Sequence, residues 1–147
     1  MSTRFTMSLC FLSLETTKVF NELILKNLQS NGFEDLSVAL ITLFPYIDGD
    51  EKITASQLSK LVGYSRQAMH KNIKKLEEAD YITLLQENQK EKIITLTPKG
   101  KKLMSVANRY ISTIENEVSE LIGKKELDKY KENQMRLYEY LRSKVVF

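Results

Sequence analysis

A mainly α-helical fold carrying one short β-hairpin is what this sequence predicts, and three observations predict it. Apolar residues recur at three- and four-residue steps over most of the 147 residues. Residues 53–82, ITASQLSKLVGYSRQAMHKNIKKLEEADYI, read as two short helices joined by a tight turn. Two short β-rich runs around a polar tip follow them directly. Helix, turn, helix and hairpin in that order make a winged helix-turn-helix, flanked here by long helices on both sides.

Residues 8–30 read as the first helix, with Ser8 as N-cap and Leu9, Leu12, Val19, Phe20, Leu23, Ile24 and Leu28 broadly helical in period. Asn31-Gly32 ends it. Residues 34–44 read as a second helix with Leu36, Leu40, Leu43 and Phe44 inward, closed by Pro45. Tyr46 to Lys52 reads as a polar turn built on Asp48-Gly49-Asp50. It lacks the spaced oxygen ligands and distal glutamate of a calcium loop.

Thr54 then caps a helix, and Gln57 stands where it completes a capping box. Leu58, Leu61 and Val62 make its inner face, and Gly63 stops it by taking a positive φ. Ser65 caps the next helix, which runs to about Ala79 with Ala68, Met69, Ile73, Leu76 and Ala79 inward. Tyr81–Leu85 and Lys92–Thr97 form the hairpin, with Ile82, Leu84, Ile94 and Leu96 along its strands. Thr97 caps a helix of about 25 residues whose first position is Pro98, where a missing N–H costs nothing. Gly123 breaks it, and a last helix covers about Lys125 to Lys144.

The second helix of the pair bears the chemistry. Arg66, Gln67, His70, Lys71, Lys74 and Lys75 face away from its apolar side. Four cations and no anion lie between Arg66 and Lys75. A phosphate-rich groove attracts such a surface, and Arg66, Gln67 and His70 have the donors to read base edges. Ser65, Lys71, Lys74 and Lys75 suit phosphates. At the wing tip Asn88 and Lys90 are candidates for a backbone or minor-groove contact, diluted by Glu87 and Glu91. Lys99, Lys101 and Lys102 are candidates for flanking phosphates or for a solvated face. A basic helix is also compatible with a winged helix that binds a protein and no specific DNA.

Composition sets outer bounds. Hydrophobic residues make up 42%, as in a globular chain, and the net charge of +3 is only mildly basic. No apolar run approaches the roughly 20 residues that span a membrane. The start MSTRFTMSLCFLSL is apolar after Arg4, but Ser, Thr and Glu15 interrupt it and no small-residue cleavage site follows. A cytoplasmic protein without membrane contact is therefore expected. One cysteine and one histidine exclude a disulfide framework and disfavour a structural zinc site. No metal or other cofactor is expected. No base–nucleophile pair or phosphate loop supports an enzyme.

The order of elements resembles the MarR family of bacterial and archaeal transcriptional regulators over nearly the whole chain. ITASQLSKLVGYSRQAMHKNIKKLEEADYI and ITLTPKGKKL carry the likeness, with Leu58, Gly63, Ser65, Leu76, Glu77, Leu96, Thr97 and Gly100 in the expected places. Asp80 replaces the family's usual glycine after the recognition helix. Asn88 and Lys90 replace the wing's Asp-x-Arg, and lysine lacks the planar fork of arginine. The resemblance implies one domain over 1–147, with a winged helix at about 34–100 and dimerisation helices at 1–31 and 101–147. It implies a homodimer that binds double-stranded DNA at a pseudo-palindromic operator, as a repressor, and is released by a small-molecule effector or by oxidation. The long helices carry more apolar surface than the winged helix can bury, which independently asks for a second copy; a monomeric bundle is the other solution. A ligand pocket is expected between the dimer helices and the winged helix, mostly apolar. Leu9-Cys10-Phe11 resembles the Leu-Cys-Phe of the one-cysteine, peroxide-sensing branch, although Leu14 and Ile24 stand where that branch has tyrosines. Cys10 is thus a candidate redox sensor in a first helical turn, or a small packing residue.

Overall fold

The computed structural model describes residues 5–49, 52–86 and 91–145. Its helices are α1 (Leu9–Ser30), α2 (Val38–Ile41), α3 (Phe44–Gly49), α4 (Ala55–Val62), α5 (Arg66–Glu78), α6 (Pro98–Ile122) and α7 (Lys124–Ser143). Its strands are β1 (Ile53–Thr54), β2 (Ile82–Leu85) and β3 (Ile93–Leu96). A short 3-10 turn at Phe5–Met7 precedes α1. Two compact units result, 1–108 and 109–147, with the boundary inside α6.

Local chemistry sets most boundaries. Ser8 caps α1 by accepting the Phe11 N–H at 3.1 Å. Thr54 and Gln57 form the reciprocal capping box, at 3.0 and 3.3 Å, that starts α4. Gly63, at φ +82°, ends α4, and Ser65 Oγ accepts the Ala68 N–H to start α5. Asp80 stands at φ +66°, the left-handed conformation that glycine or aspartate tolerates after a helix.

Three expectations require correction. Residues 34–44 are not one helix. Asp35 at φ +59° and the N-cap Ser37 delay the start to Val38, and the missing N–H of Pro45 interrupts the helical ladder at residues 42–43. Pro45 therefore lies in the first turn of α3 instead of closing α2, and residues 46–49 are helical, not a polar turn. Leu61 is exposed, and so is Ala68, so neither belongs to the inner face. The hairpin is also part of a larger sheet. The short β1 pairs antiparallel with β3 (Ile53 opposite Ile94), giving the order β1-β3-β2, while β2 and β3 pair as expected from Ile82–Leu96 to Leu85–Ile93.

The core of the first unit collects Leu28 and Phe33, Leu40, Ile41, Leu43 and Phe44, Ile47, Ile53, Leu58, the inner α5 residues Met69, Ile73 and Leu76, and Leu103, Met104 and Ala107 from α6. Tyr81 is at its centre, fully buried between Phe33 and Phe44. Most of α1 has no such cover: Leu9, Leu12, Leu14, Val19, Phe20 and Leu23 are exposed and only Leu28 is buried. In the second unit Ile111, Ile114, Val118, Leu127 and Leu137 are half-buried, and Lys131 pairs with Glu115. Leu121, Ile122, Tyr130, Met135, Tyr138 and Leu141 remain exposed. Among the described residues no helix is long and apolar enough to cross a membrane, and no cluster of His, Cys, Asp and Glu could hold a metal.

Candidate nucleic-acid interface

The interface is built on α5. Its inner stripe of Met69, Ile73 and Leu76 is buried, which fixes the rotation of the helix about its axis. At 100° per residue, Gln67, Lys71 and Lys74 then point directly away from the core. Arg66 and His70 lie on one flank, Ala68 and Lys75 on the other. All seven are exposed. The side chains that the sequence singles out on this helix are therefore brought together on one solvent-facing surface.

The electrostatics grade along the helix. Its first turn has no acidic residue and presents free backbone N–H groups, the positive end of the helix dipole. Ser65 Oγ accepts the Ala68 N–H, and its hydroxyl proton can still be donated to an outside acceptor. Farther along, Lys74 lies 4.0 Å from Glu78, both well exposed, a pair that contributes little. Lys75 borders a cavity of about 450 Å³ whose other walls include Asp35, Ser37, Leu40 and Glu78. The positive character is thus concentrated from Ser65 to Lys71 and diluted toward Glu78.

The wing is anchored to the helix pair. Ser56 Oγ, in α4, donates to the carboxylate of Glu91, two residues before β3 and 35 residues away in the chain. Thr83 and Thr95 join hydroxyls across β2 and β3 at 2.8 Å. Asn88 and Lys90 lie outside the described residues.

Two lysine groups separate on α6. Lys101 and Lys102 are exposed. Lys99 is half-buried and turned inward: its ammonium donates to the Ala79 carbonyl at 2.7 Å and sits 4.3 Å from the centre of the Tyr81 ring. That removes it from the candidates for a flanking phosphate. Cys10 lies in the first turn of α1 and is exposed, so it does not pack in this chain's own core. A second cavity, about 380 Å³, lies along α7 at Tyr130, Gln134, Met135 and Tyr138.

Sequence reasoning missed Ala68 as a surface residue. It directly precedes Met69 of the inner stripe, and a methyl side chain fits either face. In the first turn of a helix set into a groove, a methyl group facing outward can meet a thymine methyl.

Residues 46–83 match the family model described as winged helix-turn-helix DNA-binding. No curated protein matches the chain. Several solved structures share its fold. Staphylococcus aureus MarR in complex with salicylate and kanamycin superposes with a TM-score of 0.75 at 19% identity, covering 92% of this chain and 90% of that one. Streptococcus pneumoniae FabT in complex with DNA gives 0.71 at 19%, covering 91% and 97%. The S. aureus MepR–DNA complex gives 0.70 at 16%, covering 94% and 99%. The chain has the mainly helical winged helix-turn-helix fold of MarR family transcription regulators.

Proposed function

We propose that this chain is a MarR-type transcriptional regulator that binds DNA as a homodimer, reading a pseudo-palindromic operator with two copies of α5. The observation that carries this reading is the surface of α5: its buried stripe turns Arg66, Gln67, His70, Lys71, Lys74 and Lys75 outward together, at a helix start that lacks any acidic residue. Gln67 and Arg66, in the first turn, are assigned to base edges, with His70 one turn on; Gln67 suits adenine and Arg66 suits guanine. Ser65, Lys71, Lys74 and Lys75 are assigned to phosphates, and Asn88 and Lys90 to the wing's contact. The winged-helix match and the two DNA complexes among the structural relatives support the same reading.

The second copy is inferred from the uncovered apolar surface of α1 and α7. Two protomers about a two-fold axis bury it, and place their recognition helices in successive major grooves about 34 Å apart. Repression follows when such a dimer occupies a promoter. Release requires an effector that binds another spacing of the two helices better. A small molecule is the first candidate; one related structure holds salicylate. Oxidation of the exposed Cys10 is the second.

Selection of bound duplexes from a random library at moderate salt tests this, with and without peroxide. An enriched palindrome with half-sites about 10 base pairs apart is expected. Loss of enrichment under peroxide, absent in Cys10→Ser, assigns the signal to the thiol. Weak, salt-sensitive binding without enrichment favours a winged helix that serves a protein partner.

A further inference from the structure

The end of α5 is held by a group of contacts that DNA binding as described above does not use. The last carbonyls of a helix have no partner within it, and a cation there also opposes the dipole. Lys99 supplies that cation from the first turn of α6, donating to the Ala79 carbonyl at 2.7 Å. The same ammonium lies 4.3 Å from the centre of the Tyr81 ring, a cation–π contact. Tyr81 is fixed at both ends. Its N–H donates to the Leu76 carbonyl at 2.9 Å and its hydroxyl to the Glu34 carbonyl at 2.6 Å. Between them, the Asp80 carbonyl accepts the Thr97 hydroxyl at 2.6 Å.

We infer that Lys99 and Tyr81 are positioning residues for DNA binding: a clasp between α6 and the end of α5 that sets the angle of the recognition helix without touching DNA. The inference rests on the reading of α5 as the DNA-contacting helix. Met69, Ile73 and Leu76 set the rotation of α5 about its axis, and its tilt depends also on what holds its ends. One end is held by the Ser65 cap and the α4 turn, the other by this clasp. A tilt error displaces the first turn of α5 from the base edges while leaving its charge in place. The clasp therefore serves specific binding more than non-specific binding.

This assignment separates Lys99 from a phosphate-contacting lysine by the salt dependence of binding. Lys99→Met keeps the aliphatic stem and removes the ammonium. Its affinity for the selected operator is expected to fall about tenfold, the scale of one hydrogen bond to a charged group. The slope of log K against log salt stays as in the wild type, because no phosphate contact is lost. Lys99→Arg, which can still reach the carbonyl and stack on the ring, restores most of the affinity. Tyr81→Phe, which loses only the bond to Glu34, shifts affinity in the same direction by less. Hydrogen exchange at the Tyr81 amide is measured on the same full-length variants without DNA, and Lys99→Met accelerates it severalfold.

A slope shallower by about 1.8 for Lys99→Met, 0.9 for each copy in a dimer, would make Lys99 a phosphate contact and overturn the inference. Unchanged affinity for Lys99→Met would overturn it too. Wild-type protein that binds no duplex would sink the DNA reading, and with it the positioning role. The exchange rate at Tyr81 then still decides whether the clasp exists, since an unchanged rate refutes it on its own.

Discussion

Gly100 sits where α6 passes the residues that follow α5, and replacing it with alanine tests that close approach. A Cβ built on Gly100 would lie 2.3 Å from the Tyr81 carbonyl oxygen, with Leu96 side-chain carbons at 3.2 and 3.3 Å. Even close C···O contacts keep about 3.3 Å, so α6 and the Tyr81 backbone must separate by about 1 Å. The carbonyl cannot yield freely. It accepts the Thr97 N–H at 3.0 Å, and the Gly100 N–H is itself bound to the Thr97 hydroxyl at 3.0 Å. Overpacking of this kind costs about 1–3 kcal/mol, and weakening one buried hydrogen bond costs about 1 kcal/mol more. Alanine's better helix propensity returns about 1 kcal/mol. Gly100→Ala should thus destabilise the protein by about 1–3 kcal/mol, read as a lower urea midpoint at fixed protein concentration and unchanged slope. The accompanying fall in Tm is about 2–12 °C for a chain of this size. A variant as stable as the wild type, or more stable, would refute the close approach and leave Gly100 as a mere flexible link.

Two further predictions use other parts of the same region. Burial, then the carboxylates of Asp35 and Glu34, raise the Tyr81 phenol above its ordinary 10.0. The folded state therefore keeps a proton that the unfolded state releases, so stability is retained below about pH 10 and falls as the pH rises through the folded-state value; Tyr81→Phe should flatten that alkaline decline in a urea-midpoint series. Ala68 is exposed beside Gln67 on the first turn of α5. Where a half-site thymine faces Ala68, deoxyuridine in its place should weaken operator binding about fourfold per half-site, the worth of one buried methyl. The substitution should have no effect on Ala68→Gly; equal losses in both proteins would place the methyl contact elsewhere.

What could be read from the sequence was what neighbours in the chain decide. Thr54 with Gln57, Gly63, Ser65, Asn31-Gly32 and Thr97-Pro98 each act on residues within four positions, and each set the boundary expected of it. The long stripes of α6 and the hairpin alternation are equally local. Misreadings arose where a residue type serves opposite purposes. Proline both closes helices and opens them, and Pro45 opens α3 because Leu40, Leu43, Phe44 and Ile47 all need to reach the core. The β1 strand is two residues long, and only its pairing with Ile93 and Ile94, some 40 positions on, makes it a strand. On the candidate interface, the polar face of α5 was legible from its period, whereas Ala68 and Leu61 were not, since a small or lone apolar residue fits either face. Lys99 looked like its neighbours Lys101 and Lys102; only the fold brings it to Ala79 and Tyr81.

Contact between DNA and the outer face of α5 is best read from the salt dependence of operator binding for Lys71→Ala combined with Lys74→Ala. Both side chains are exposed and point away from the buried stripe, so the fold should survive. If each lysine neutralises one phosphate in each protomer, four contacts vanish from the dimer. The slope of log K against log salt should then become shallower by about 3.6, with affinity reduced for every duplex sequence. An unchanged slope and affinity would contradict the account, because the most outward cations of the helix would then face something other than DNA.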